Sequence, residues 1–124
     1  MWNRRKTGQR AEKIVAQSLI QAGYSILAQN WSCSRGELDI IARYQGTTVF
    51  VEVRAHTTSY LDGAEVTVTL QKQRRVCAAA ELWLQHGGND TEDIRFDVVA
   101  VQFPKVGAPV LEHFEDAFTS PWAV

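Results

Sequence analysis

This chain has little that marks a secreted, membrane-spanning or disordered protein. Of its 124 residues, two are cysteine and three are proline. Cys33 and Cys77 stand in unrelated contexts with no Cys-x-x-Cys spacing. That pattern argues for reduced thiols in a reducing compartment rather than a disulfide framework. No apolar run is long enough to span a bilayer, and the basic start leads into a polar amphipathic segment, unlike a signal peptide. The expected location is the cytoplasm, with no membrane partner. Repeats and low-complexity tracts are absent. So are a phosphate-cradling glycine-rich loop, a Gly-x-Ser-x-Gly turn and any Ser/His/Asp or Cys/His nucleophile arrangement. Cys33, Cys77, His56, His86 and His113 do not group into zinc-ligand spacings. A charge excess of one sign is also missing. Thirteen Lys and Arg against fourteen Asp and Glu leave a net charge of -1, so any nucleic-acid site must be a local patch.

What is present suits one globular domain covering residues 1–124, with 45% hydrophobic and 22% charged residues. Charge is unevenly placed. Arg4, Arg5, Lys6, Arg10 and Lys13 crowd the start, Lys72, Arg74 and Arg75 form a second basic cluster, and acids are commoner late. Apolar spacing at Ala11, Ile14, Val15, Ser18, Leu19 and Ala22 predicts a helix from about Gly8 to Ala22, with Thr7 as N-cap and Gly23 as stop. Tyr24–Trp31 reads as extended, and His56–Val66 as a polar loop. A second helix should begin near Thr69 or Leu70 and end at Gly87-Gly88, with an inner stripe of Val76, Cys77, Ala80, Trp83 and Leu84. After a loop at Asn89–Asp93, Ile94–Phe103 is an almost wholly apolar, hence central, strand. Pro104–Ala108 turns, Val110–Phe114 is a last strand, and Glu115–Phe118 a short helical turn. The fold class is α/β, a mixed β-sheet with an antiparallel hairpin core and flanking helices.

The hairpin carries the chemistry. Gly36–Ala42 and Thr48–Arg54 are strands joined through Gln45-Gly46, and two-residue and four-residue loops there give the same register. In that register Asp39 faces Glu52 and Glu37 faces Arg54, with all four expected on one face. Directly opposed like charges destabilise a sheet, so the arrangement calls for a cation. Carboxylates, backbone carbonyls and waters suit Mg²⁺ or Mn²⁺, which would polarise a phosphoryl oxygen and activate water. Arg54 could then steady transition-state charge. The plainer alternative is that Glu52 pairs with Arg43 or Arg54 on a solvated face. By periodicity Glu12 is a border glutamate of the first helix, though it could reach the sheet. Lys72, Arg74 and Arg75 oppose the helix dipole and suggest an external anion such as nucleic-acid phosphate, against a solvated helix face. Asp97 reads as structural, paired with Arg95 or capping a backbone group. The tryptophans read as packing.

The strings Gly36-Glu37-Leu38-Asp39-Ile40-Ile41-Ala42 and Phe50-Val51-Glu52-Val53-Arg54 resemble the YraN-like family, also known as UPF0102. So do Gly8 to Glu12 with Ala16, Gly23-Tyr24, Asn30, Gly63, Lys72–Arg75, Arg95–Val99 and Asp116–Phe118. The resemblance covers nearly the whole chain. It implies a restriction-endonuclease-like fold, similar to Holliday-junction resolvases of the PD-(D/E)xK superfamily. It also implies a nuclease of DNA, branched or single-stranded, using Mg²⁺ or Mn²⁺. Asp39 and Glu52 would be the metal ligands, with Glu12, Glu37 and Arg54 completing the catalytic set and Lys72, Arg74 and Arg75 binding nucleic acid. Resolvase-like nucleases often act as homodimers, yet no self-complementary patch is legible here. Arg54 stands where the superfamily has lysine. Arginine keeps the charge but does not deprotonate, so the supporting role could pass to Lys72. That departure keeps open an inactive nucleic-acid-binding module, and the near-neutral charge keeps open a protein-interaction domain.

Overall fold

The computed structural model describes residues 4–56, 68–87 and 93–120. Helix α1 (Arg4–Gln21) leads to strands β1 (Ser25–Cys33), β2 (Gly36–Tyr44) and β3 (Thr47–His56). Helix α2 (Leu70–Gln85) precedes β4 (Asp93–Gln102) and β5 (Val110–Phe118). The five strands form one sheet in chain order. β3 and β4 are parallel, joined through α2, while the other neighbours are antiparallel. The architecture is α/β and fits the restriction-endonuclease-like expectation.

Each face of the sheet buries its own core against one helix. Ala11, Val15, Ala16 and Leu19 of α1 pack on Ile40, Ala42, Val49, Val51, Val99 and Val101. Val76, Cys77, Ala79 and Ala80 of α2 pack on Leu38, Ile41, Phe50, Phe96 and Val98. Phe50, Phe96 and Phe118 stack in series, with ring centroids 5.4 and 5.2 Å apart, and Trp83 meets Phe50 edge-on. Trp31 also packs on this side, while Trp2 and Trp122 lie outside the described residues.

Local chemistry sets the boundaries. Gly23 adopts φ 97°, its N–H bonds to the Ile20 carbonyl, and the Tyr24 N–H reaches back to Leu19. This is a Schellman closure, and it ends α1 where the glycine predicts. At the other end α1 begins at Arg4 rather than Gly8, so Thr7 lies inside the helix and is not its cap. Arg4, Arg5 and Lys6 are good helix formers that an apolar-periodicity reading passes over. Thr69 caps α2, accepting the Lys72 N–H at 3.2 Å, while the Gln73 amide donates to the Val68 carbonyl at 2.8 Å. Gln45 and Gly46 have φ 49° and 80°, the pair of positive values of a type I′ hairpin turn.

Glu115–Phe118 is not a helical turn. It continues β5, which is bent where Asp116 takes φ 53° and where the register to β4 shifts between Phe96 and Val98. The loops expected around Tyr60–Gly63 and at residues 89–92 lie outside the described residues. Among the described residues, no helix is long and apolar enough to cross a membrane.

Candidate functional site

The hairpin register is the one the turn dictates, running from Tyr44↔Thr47 to Ile40↔Val51. Asp39 and Glu52 come next. There a side chain takes over from the backbone ladder: Asp39 Oδ2 accepts the Val53 N–H at 2.9 Å. Strand alternation also slips at this point. Leu38 packs in the α2 core with Ile41, whereas Ile40 packs in the α1 core. The expected single face bearing Glu37, Asp39, Glu52 and Arg54 is therefore not formed. Glu52 follows Thr48 and Phe50 on the α2 side of β3. Asp39 stands at the edge between the layers, within electrostatic reach of Glu12 on α1 and Lys72 on α2.

Glu52 is only 3% exposed. Its Oε2 lies 3.8 Å from Lys72 Nζ, and it shares a hydrogen bond with Asp39. Burial, then the Asp39 charge, push its carboxyl up to about 8, against the pull of Lys72 and Arg54. Asp39 is also raised, chiefly by burial, but is held back by the Val53 N–H, by Lys72 and by Glu52. At neutral pH the pair therefore keeps a proton, carried on Glu52 and donated to Asp39. Glu12 turns toward the same place. Burial and then Asp39 raise its carboxyl, while a hydrogen bond from Asn30 lowers it.

Two contributors were hard to find from sequence. Asn30 adopts φ 51°, an uncommon backbone state that asparagine tolerates, and it serves Glu12 from β1. Its only advance signal was membership in the resembling motif set. For Lys72 the sequence leaves open a phosphate contact or the supporting role beside the acids, and its ammonium lies 3.8 Å from Glu52 Oε2. Its neighbours diverge, as helical angle requires: Arg75 lies against the start of β2 beside Gly36, and Arg74 is exposed. Glu37 is exposed and accepts from the Ser32 hydroxyl at 3.3 Å, in place of the expected pairing with Arg54.

Oxygen donors from the buried Glu52 and the half-buried Asp39 suit a hard divalent cation, which would relieve the crowding that keeps Glu52 protonated. Among the described residues, no three His, Cys, Asp or Glu side chains gather as a ready-made metal cage. Asp39 and Glu52 would be a two-carboxylate anchor, with waters and substrate oxygens completing the shell as Mg²⁺ prefers.

Asp97 belongs elsewhere. It is fully buried and takes Arg95 Nε and Nη2 at 2.8 Å each, His113 Nε2 at 2.7 Å and the Asp116 N–H at 2.9 Å. Burial alone would raise its carboxyl, but these bonds outweigh it and hold the group below its ordinary value. Arg95 also donates to the Tyr24 hydroxyl, and Tyr24 stacks on Tyr44 at 4.2 Å. The group ties β4, β5, the hairpin and the end of α1 together, as a structural node.

The sequence pattern of the family described as "Uncharacterised protein family UPF0102" matches residues 11–101. The chain belongs to that family, which is YraN-like. A UPF0102 protein of Anaeromyxobacter dehalogenans (strain 2CP-C) is 46% identical over 116 residues, covering 93% of this chain and 85% of that protein. A UPF0102 protein of Anaeromyxobacter sp. (strain Fw109-5) is 43% identical over 108 residues, 87% of this chain and 81% of its own. A UPF0102 protein of Pseudomonas syringae pv. syringae (strain B728a) is 38% identical over 118 residues, 94% and 96% of the two chains. The UPF0102 match spans both Asp39 and Glu52, as well as Glu12 and Lys72.

Proposed function

We propose that this UPF0102 protein is a Mg²⁺- or Mn²⁺-dependent endonuclease that hydrolyses phosphodiester bonds of DNA, with branched or single-stranded DNA as the substrate. The observation that carries this reading is the Asp39–Glu52 pair, a half-buried and a fully buried carboxylate sharing a proton at the open end of a hairpin. Asp39 and Glu52 would hold the metal, which when bound polarises a phosphoryl oxygen and lowers the pKa of water. The Val53 N–H fixes one Asp39 oxygen, and the metal would take the place of the proton that Asp39 shares with Glu52. Glu12, oriented by Asn30, and Glu37 add acceptors for metal-bound waters. Lys72, beside Glu52, brings an ammonium to the reacting phosphate and, unlike Arg54, can give up a proton. Arg54 contributes fixed positive charge, and Arg74 and Arg75 meet the backbone of the bound strand.

The test is cleavage of plasmid, single-stranded and four-way-junction DNA with Mn²⁺ or Mg²⁺, and with chelator. The reading expects metal-dependent cleavage by the wild type that is lost in Asp39→Asn. Cleavage by Asp39→Asn at the wild-type rate sinks it. A second reading, a catalytically silent nucleic-acid-binding module, draws on the arginine at position 54. It expects salt-sensitive DNA binding with no cleavage in any metal.

A further inference from the structure

Two buried side-chain nitrogens, Arg54 Nε and His56 Nε2, make no hydrogen bond. Buried polar atoms are almost always partnered, and an unmade bond there is costly. These two are not scattered. They are two residues apart on β3, so they share the strand face that carries Glu52. Their level in the sheet is fixed by the parallel pairs Arg54↔Ala100 and His56↔Gln102, and by the Phe103 N–H donated to the His56 carbonyl at 2.7 Å. The carboxylate nearest along the strand, Glu52, is already engaged by Asp39 and Lys72, and among the described residues no acceptor meets these two nitrogens.

We infer that Arg54 and His56 form a phosphate-binding subsite next to the acid pair. An arginine N–H and an imidazole N–H are both donors, and one phosphate group has enough acceptor oxygens to serve both. Two residues of strand span about 7 Å, so a group held between these side chains is not the phosphate at Asp39 and Glu52. It is a neighbouring phosphate on the same nucleic-acid strand, an assignment that rests on the proposed nuclease reading. Both residues are only part-buried, so each side chain reaches the surface beside its buried nitrogen.

The probe is inorganic phosphate, followed by nitrogen-15 NMR of the Arg54 Nε–H and the His56 ring in the full chain. The expected result is a saturable downfield shift of the Arg54 Nε–H. In His56→Leu, loss of one charge-assisted bond weakens phosphate binding roughly tenfold or more. A short single-stranded deoxyoligonucleotide should displace the phosphate signal. A shift no larger than that from sodium chloride of equal ionic strength overturns the subsite, as does equal affinity in His56→Leu. Phosphate binding that the oligonucleotide does not displace overturns its assignment to nucleic acid. None of these readouts needs cleavage, so failure of the nuclease reading and failure of the subsite are seen separately.

Discussion

The Asp39 carboxylate accepts the backbone N–H of Val53 at 2.9 Å, just past the last backbone pair of the β2–β3 ladder. A side chain thus takes the bond that a strand backbone would otherwise make. Asp39 is locked in place by this bond and brought against Glu52, and the hairpin ends in two acids rather than in paired backbone.

Glu52 should limit stability. Its carboxyl rises to about 8 in the folded chain from an ordinary 4.5. A raised acid contributes its stability below the unfolded value and loses it as pH climbs through the folded one. Glu52→Gln, which is neutral at every pH, should therefore melt higher than wild type at pH 9, by roughly 5 °C. The gap should close toward pH 4. Melting curves across that range without metal check it.

Metal binding should release a proton. Below about pH 8 the pair holds one proton on Glu52, and a cation must displace it. Mn²⁺ affinity should rise with pH by up to about tenfold per unit, flattening above about pH 8. Calorimetric enthalpies that vary with the buffer's ionisation enthalpy would register the released proton.

Lys72 sets where that flattening occurs. Its ammonium, 3.8 Å from Glu52 Oε2, pulls the carboxyl down. Lys72→Met should move the plateau of Mn²⁺ affinity to higher pH. Its effect on melting should be small, about 1 kcal/mol or less, because this lysine is 41% exposed. An unchanged plateau would place Lys72 outside the acid site.

Asp97 should matter for folding and not for chemistry. Removing it leaves Arg95, His113 and the Asp116 N–H without their common acceptor. Asp97→Ala should cost about 3 kcal/mol in denaturant unfolding. Because the Asp97 carboxyl is lowered in the folded chain, its contribution is present above the ordinary value of 3.8 and fades as pH falls below it.

The hairpin register was legible because Gln45-Gly46 allows one register whichever loop length is drawn, and Asp39 against Glu52 followed. The slip of facing between Leu38 and Ile40 was not legible. It arises where pairing gives way to the Asp39–Val53 bond, a tertiary event that strict alternation conceals. The bend at Asp116 was missed for a related reason. The polar run Glu115-Asp116 looks like a break in a strand, when its backbone N–H is in fact needed to satisfy a carboxylate 19 residues earlier. Glu12 looked like a border residue because helical spacing reports which side faces the core and not which acid lies above it.

The most direct test of the Asp39–Glu52 pair is calorimetric titration of the wild type and Asp39→Asn with Mn²⁺ at pH 8. The account predicts saturable binding to the wild type and loss of that binding in Asp39→Asn, with the variant still folded. Equal Mn²⁺ affinity in the two proteins, or none in the wild type, would contradict it.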